Sequence, residues 1–456
     1  MSHRIKLLHQ DISGWKVGMP GKIALVDAVH GNQRMYGQLA DRAKAYALNL
    51  MDLGVQPGDR VAAWMPMNVE QIALMYGCLM VGAAFAPLEQ YLSHDTLVER
   101  LITIQPACLI APTPADWHPD LHGSLTRLSN LKHVCVGGGE HAPKLSGIAS
   151  HRLEQLMDGK RILMLRAQNR IRKGLEQRTS SLHAWNPALV LFTAGTTDTP
   201  KAAILCHETI HTQLQLLSGQ YPFHWKDKML VNLPLSHAGG SIMGIMLAMK
   251  HGMTAVLAEG LDASECLKVM DTYRIDVLAQ MQVGFELMGD ELRNSRAFNR
   301  LKLGMVVGAP SEMGLGGIEY VCKRAMTGLF LTEAGGFATV QMGDTQLIAS
   351  GTFGRVIPEF AQISIRETFV PGGKAGDKLP LGQLGHVCIH PPMVCNGYLS
   401  PGVAHTGMIS KDGLLYTGDV GRLIQHGDTL FLELEAMESF DQTQEHSTDF
   451  PNFRAA

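Results

Sequence analysis

The chain has 456 residues, 46% hydrophobic and 18% charged, enough for a large core and two to four folding units and too apolar for intrinsic disorder. A formal net charge of −3 supplies no overall field to draw in nucleic acid or an anionic membrane. The eight cysteines (Cys78, Cys108, Cys135, Cys206, Cys266, Cys322, Cys388 and Cys395) form no C-x-x-C pair and no zinc spacing, so they read as buried thiols of a reducing compartment.

From the N-terminus, Met1 to Lys6 carries basic residues, but Asp11, Ser13 and Lys16 interrupt any apolar run behind it, and no secretory leader is expected. Leu39, Ala43, Tyr46, Ala47 and Leu50 fall at helical spacing, and that helix is predicted to stop at Gly54 to Asp59. A buried strand at Val61 to Met65 follows, then a helix from Val69 to Met80, a strand at Ala83 to Leu88, a helix from Leu97 to Ile104 and a strand at Cys108 to Ala111. Strands alternating with helices predict a largely parallel sheet covered on both faces. Lys160 to Arg178 sets seven basic residues against Glu176, which fits either a solvated helix or linker or a groove for an anionic partner.

The most informative stretch runs from Leu191 to Ala202 (LFTAGTTDTPKA), an apolar strand delivering a loop of hydroxyls, small residues and one lysine. Exposed backbone N–H groups, threonine hydroxyls and an ammonium together can surround a polyphosphate. Lys201 follows a proline and precedes two alanines, so this is not a Walker A loop. Taken alone, the stretch also fits an ordinary threonine-rich turn after a buried strand.

Beyond the loop, helices are predicted at His207 to Leu217, Ala263 to Tyr273 and Gly284 to Leu292, and strands at Met229 to Leu233, Ala255 to Leu257, Val277 to Ala279 and Leu303 to Val307. The longest apolar run, Ser241 to Met249, is too short to cross a bilayer, and a soluble cytoplasmic protein is expected. From about Gly351 the texture turns β-rich, as in Gln362 to Arg366 and Gly385 to Ile389. The expected organisation is an α/β body with two subdomains over residues 1–350, a β-rich subdomain over 351–430 and a short acidic tail over 431–456.

The order of the segments carries more than any one of them. The loop, then Pro234-Leu-Ser-His237, Gly308-Ala-Pro310, Leu331-Thr-Glu333, Gly397-Tyr398 and Tyr416-Thr-Gly-Asp419 together resemble the adenylate-forming superfamily of acyl-CoA synthetases, adenylation domains and luciferases. The resemblance implies two α/β/α-type subdomains with mixed, largely parallel sheets and a small β-rich one. It also implies a reaction in which a carboxylate attacks the α-phosphate of MgATP, pyrophosphate leaves, and a thiol of CoA or a carrier phosphopantetheine displaces AMP. By resemblance, Thr193, Gly195, Thr196, Thr197 and Lys201 would hold the β- and γ-phosphates, and Gly308, Ala309 and Pro310 would line the adenine pocket. Thr332 would contact the α-phosphate, Glu333 would bind Mg2+, Asp419 would accept from the ribose hydroxyls, and His237 with Gly239 would lie beside the acid. On their own, Glu333 and Asp419 also read as cap or turn carboxylates, His237 as a hydrogen-bonded loop residue, and Gly385 and Gly397-Tyr398 as turn and packing residues.

Three positions depart from the family pattern. Asp198 stands where the loop normally has glycine and brings a negative charge toward the phosphates. Leu329 and Phe330 replace an aromatic and a glycine before the Thr-Glu pair, which predicts a reshaped or partly filled acid pocket. Relatives continue past the Thr-Gly-Asp segment into a small domain that delivers a lysine, whereas 29 residues with no lysine follow Gly427, so that domain is expected to be missing or to act as a separate protein. The expected substrate is a small carboxylic acid, apolar rather than an amino acid. The alternative is a degenerate or split member that binds ligand without turnover.

Overall fold

The structure, a computed structural model, describes residues 6–138, 141–193, 200–259, 261–307, 324–343, 352–368, 373–399 and 408–435. Two eight-stranded sheets dominate it. The first runs, edge to edge, through Tyr398–Leu399, Ala202–Cys206, Pro187–Phe192, Ala84–Leu88, Arg60–Trp64, Cys108–Ala111, His133–Val136 and Ala149–Arg152. Its strands are parallel from Pro187–Phe192 to Ala149–Arg152, and the two at the other edge are antiparallel.

The second sheet runs through Gln341–Met342, Ala325–Thr327, Leu303–Val307, Val277–Met281, Lys228–Val231, Thr254–Leu257, Ile23–Asp27 and Gln33–Met35. Only its two outermost pairings are antiparallel. The third sheet is antiparallel throughout and has four strands, Ile363–Arg366, Gly385–Ile389, Leu415–His426 and Thr429–Leu434. The chain is thus α/β, with largely parallel sheets and a small antiparallel unit.

Helix Val69–Val81 shows why the body closes. Asn68 accepts from the backbone N–H groups of Glu70 and Gln71 at its start, and Gly82 ends it at φ 78°. Every residue except Glu70 is buried, the signature of a helix enclosed on all sides. Gly77 lets it press on helix Tyr36–Asp52, because a Cβ there would stand 2.7 Å from Tyr46 Cβ. The predicted helix at Leu97 begins earlier, at His94, because the Ser93 hydroxyl caps the Thr96 N–H.

Two expectations need correction. Strand Thr429–Leu434 pairs along six residues with Leu415–His426, so the boundary drawn at 430/431 cuts a strand, and a tail begins no earlier than Glu435. Tyr398–Leu399 leaves the β-rich stretch to pair with Ala202–Ala203 at the edge of the first sheet. The basic stretch forms helices Gly159–Ala167 and Asn169–Ser181, which bury Leu165, Ile171 and Leu175 and turn most charges outward. Ser241–Met249 is a buried helical path with a π-helical segment at Ser241–Met246. Among the described residues no helix is long and apolar enough to cross a membrane. The seven described cysteines are buried and free; Cys322 lies outside the described residues.

Candidate active site

Strands Pro187–Phe192 and Ala202–Cys206 are antiparallel neighbours, so the chain between them must reverse at their shared end. Thr193 and Lys201 close the neck of that loop: the Thr193 N–H donates to the Lys201 carbonyl at 2.8 Å, and the Lys201 N–H to Thr193 Oγ1 at 3.3 Å. Gly195, Thr196, Thr197 and Asp198 lie outside the described residues, as do Gly308, Ala309 and Pro310.

The antiparallel pair Phe330–Leu331 and Gly336–Phe337 holds a single 3-10 turn, Thr332–Ala334, between its strands. Gly335 at φ 72° and Gly336 at φ 149° allow so tight a return, and a Cβ on Gly336 would stand 2.8 Å from the end of the Gln213 side-chain amide. The turn leaves Thr332 half-buried and its carbonyl bonded to the Gly335 N–H. It carries Glu333 inward, where the side chain is almost wholly enclosed.

Glu333 lies within reach of residues from three other parts of the chain. The Tyr398 hydroxyl donates to its Oε1 at 2.8 Å, and the Lys201 ammonium stands 5.7 Å from the centre of the Tyr398 ring. Burial raises the Glu333 carboxyl, opposed by the Tyr398 hydrogen bond and the Lys201 charge. Burial lowers the Lys201 ammonium, and the Glu333 charge opposes that shift. Asp419, on strand Leu415–His426, is pushed up to about 7, first by burial and further by the negative charge of Glu333. Its N–H donates to Thr417 Oγ1 at 3.1 Å, and its buried Oδ2 has no hydrogen-bond partner. An orphaned buried acceptor is costly unless something donates to it.

A second group of residues is aromatic. His237 caps the short helix Ala238–Gly240, its Nδ1 accepting from the Gly239 N–H at 3.0 Å. A Cβ on Gly239 would lie 2.9 Å from that Nδ1 and would have to push side chains aside, and one on Gly240 would lie 2.2 Å from the Pro234 carbonyl oxygen, so backbone leaves room only for glycine at 240. The His237 ring stacks on Phe330 at 5.3 Å and 6°, and Phe330 meets Phe337 edge to face at 5.9 Å. Burial lowers the His237 pKa to about 4, so the ring is neutral at pH 7, with the proton on the nitrogen that does not accept from Gly239. Leu329 packs into the main core, its N–H donating to Thr339 Oγ1 at 2.9 Å.

Beside His237, the Ser236 hydroxyl donates to Glu89 Oε1 at 2.8 Å, while Arg100 pairs with the other Glu89 oxygen and lies over Phe192 at 4.8 Å. The structure therefore brings Thr193, Lys201, Glu333 and Asp419 into one polar region and sets His237 and Gly239 in an aromatic one. Sequence reasoning missed Glu89 and Arg100, which carry no local signal, and read Tyr398 as packing although its motif was noticed.

Comparison with known proteins agrees with this architecture. The family model described as AMP-binding enzyme matches residues 15–399. The chain is 24% identical over 422 residues to the medium-chain fatty-acid–CoA ligase of Escherichia coli K12, covering 90% of this chain and 69% of that one. It is 23% identical over 428 residues to a feruloyl-CoA synthase of Amycolatopsis, covering 93% and 78%. An inhibitor-bound N-terminal domain of FACL13 from Mycobacterium tuberculosis has the same fold, with a TM-score of 0.71 at 19% identity, covering 95% of this chain and all of that one. Fold and site thus define a class, the adenylate-forming ligases of the acyl-CoA synthetase kind. The chain belongs to the AMP-binding enzyme family.

Proposed function

We propose that the protein is an AMP-forming acid–thiol ligase. A carboxylate oxygen of the acid forms a bond to the α-phosphorus of ATP as the bond to pyrophosphate breaks, and a thiol of CoA or of a carrier phosphopantetheine then displaces AMP to give the thioester. The observation that carries this reading is the meeting of Lys201, Glu333, Tyr398 and Asp419, drawn from four separate segments, beside the neck of the loop that Thr193 and Lys201 close.

The residues fit a nucleotide that brings its own metal. Among the described residues no three His, Cys, Asp or Glu side chains form a metal cage, and Mg2+ is commonly held by one or two carboxylates together with substrate phosphates. In this reading Glu333 is the carboxylate that would hold Mg2+, which supplies charge neutralisation for the phosphates. Lys201, Thr193 and the loop residues Gly195, Thr196 and Thr197 hold the β- and γ-phosphates, and Thr332 meets the α-phosphate. Gly308, Ala309 and Pro310 line the base. Asp419 gives its orphaned Oδ2 to the ribose hydroxyls, which supply the missing donors. His237 and Gly239 line the acid side, where the neutral imidazole places no positive charge on the incoming carboxylate.

The test is mass spectrometry of protein incubated with MgATP and a panel of aliphatic and aromatic acids. Acyl-adenylate and AMP are expected from at least one acid, and should vanish in Lys201→Ala. One observation favours a second reading, a ligand-binding member without turnover: Phe330 covers a face of His237 and is itself buried. Absence of product from a folded protein that still binds nucleotide would select that reading.

A further inference from the structure

We infer that Tyr398 is a positioning residue for the metal-binding carboxylate, joining Glu333 to Lys201 through one side chain. The inference rests on the reading of Glu333 as the Mg2+ carboxylate, and it departs from the expectation that Tyr398 only packs.

The geometry has three parts. First, the backbone of Tyr398 is registered against Ala203, two residues beyond Lys201, in the antiparallel ladder at the edge of the first sheet. Tyr398 therefore moves with the strand that emerges from the phosphate loop. Second, its hydroxyl donates to Glu333 Oε1 at 2.8 Å, across a separation of 65 residues, with the ring only 6% exposed. A buried carboxylate with a fixed donor on one oxygen has a fixed orientation, which leaves Oε2 as the freer ligand oxygen. Third, the face of the same ring lies 5.7 Å from the Lys201 ammonium, within reach of a cation–π attraction. One side chain thus touches the carboxylate proposed for the metal and the cation proposed for the phosphates.

Loss of the Tyr398 hydroxyl therefore loosens the orientation of the Glu333 carboxylate.

The experiment compares wild type, Tyr398→Phe and Glu333→Gln by calorimetric ATP titration, with Mg2+ and with EDTA. Tyr398→Phe keeps the ring, so its packing and its contact with Lys201 persist. Wild type should bind ATP more tightly with Mg2+, and Glu333→Gln should lose that gain. Tyr398→Phe should lose about 10- to 100-fold of it, the usual range for a residue that orients a metal ligand, with Mg2+-free binding unchanged. Tyr398→Phe that keeps the full gain, while Glu333→Gln loses it, overturns the role of Tyr398 alone. If Glu333→Gln also keeps the gain, or wild type shows none, the metal reading falls with it. An equal loss with and without Mg2+ in Tyr398→Phe marks a merely structural tyrosine and likewise overturns the inference.

Discussion

The region around Glu333 and the region around His237 lie on either side of one short turn and are built in opposite ways. The first gathers ionisable groups: Glu333 acts by its charge on both Lys201 and Asp419, and Asp419 keeps a buried oxygen without a partner. The second buries rings: His237, Phe330 and Phe337 stack face to face and edge to face, and the histidine is held neutral. A buried acceptor without a donor is destabilising in an unliganded protein, whereas stacked rings are stabilising by themselves. On the proposed function a ligand would supply the donor that the polar region lacks, and Phe330, already buried, would set how much space an acid can have.

The sharpest way to break this contrast is to remove a charge from the polar side. Glu333→Gln and Lys201→Ala should each lower adenylate formation by about 100- to 1000-fold, the usual loss for one pre-organised electrostatic group, read as substrate-dependent pyrophosphate release. Turnover within a few-fold of wild type in both would mean that the polar cluster is structural.

The same exchange on the aromatic side should trade stability for space. Phe330→Ala removes a ring that is 4% exposed and packed between His237 and Phe337, and core Phe→Ala changes cost about 3–5 kcal/mol. A fall in thermal midpoint should be accompanied by binding of bulkier acids than wild type accepts, measured by calorimetry across an acid series. A destabilised variant with unchanged acid preference would place the acid elsewhere and leave Phe330 a core residue.

How far each region was legible in the sequence follows the same division. Local signals were enough for helix Ala263–Tyr273, where Asp262 and Glu265 form a capping box and Arg274 ends it in a left-handed conformation. They were enough for strand Cys108–Ala111 as well. They could not show that Ile23–Asp27 pairs in parallel with Thr254–Leu257, since strand partners so far apart leave no trace in either segment. Ordered motifs led to Lys201, Glu333 and Asp419 because each is a polar residue in a characteristic short context. Tyr398 reads from its own neighbourhood of glycine and turns as a packing residue, and it is buried in the core; its hydrogen bond to Glu333 depends on a strand leaving the β-rich stretch for the edge of another sheet, which no local signal shows. The stack of His237 on Phe330 joins residues 237 and 330, and only the substitution at 330 hinted that the pocket would be reshaped.

Asp419 gives a pH-dependent test of the polar side. Its pKa rises from an ordinary 3.8 to about 7 in the folded chain, so between these values the folded state holds a proton that the unfolded state has lost. By linkage, its contribution to stability is fully present below pH 4 and declines as pH rises through about 7. Asp419→Asn removes that decline, so the difference in melting temperature between variant and wild type should widen in favour of the variant from pH 5 to pH 8. Nucleotide binding should show the opposite trend, because the ribose site needs the carboxylate: wild-type affinity should rise through pH 7, and Asp419→Asn should bind weakly at every pH. A melting difference that does not change with pH would mean that Asp419 is already ionised and partnered in the free protein.

The smallest effect tests whether the contrast ends at His237 or extends past it. Ser236 donates to Glu89, whose other oxygen is held by Arg100, so Ser236→Ala removes one of two supports and leaves the charge paired. The expected cost is about 1 kcal/mol, with acid and ATP affinities unchanged, since the Glu89 pair then serves as frame behind the aromatic region. A change in acid affinity without a change in melting temperature would move Glu89 and Arg100 into the acid site. The acid side would then hold charged groups as the region around Glu333 does, and the division between a polar half and an aromatic half would no longer hold.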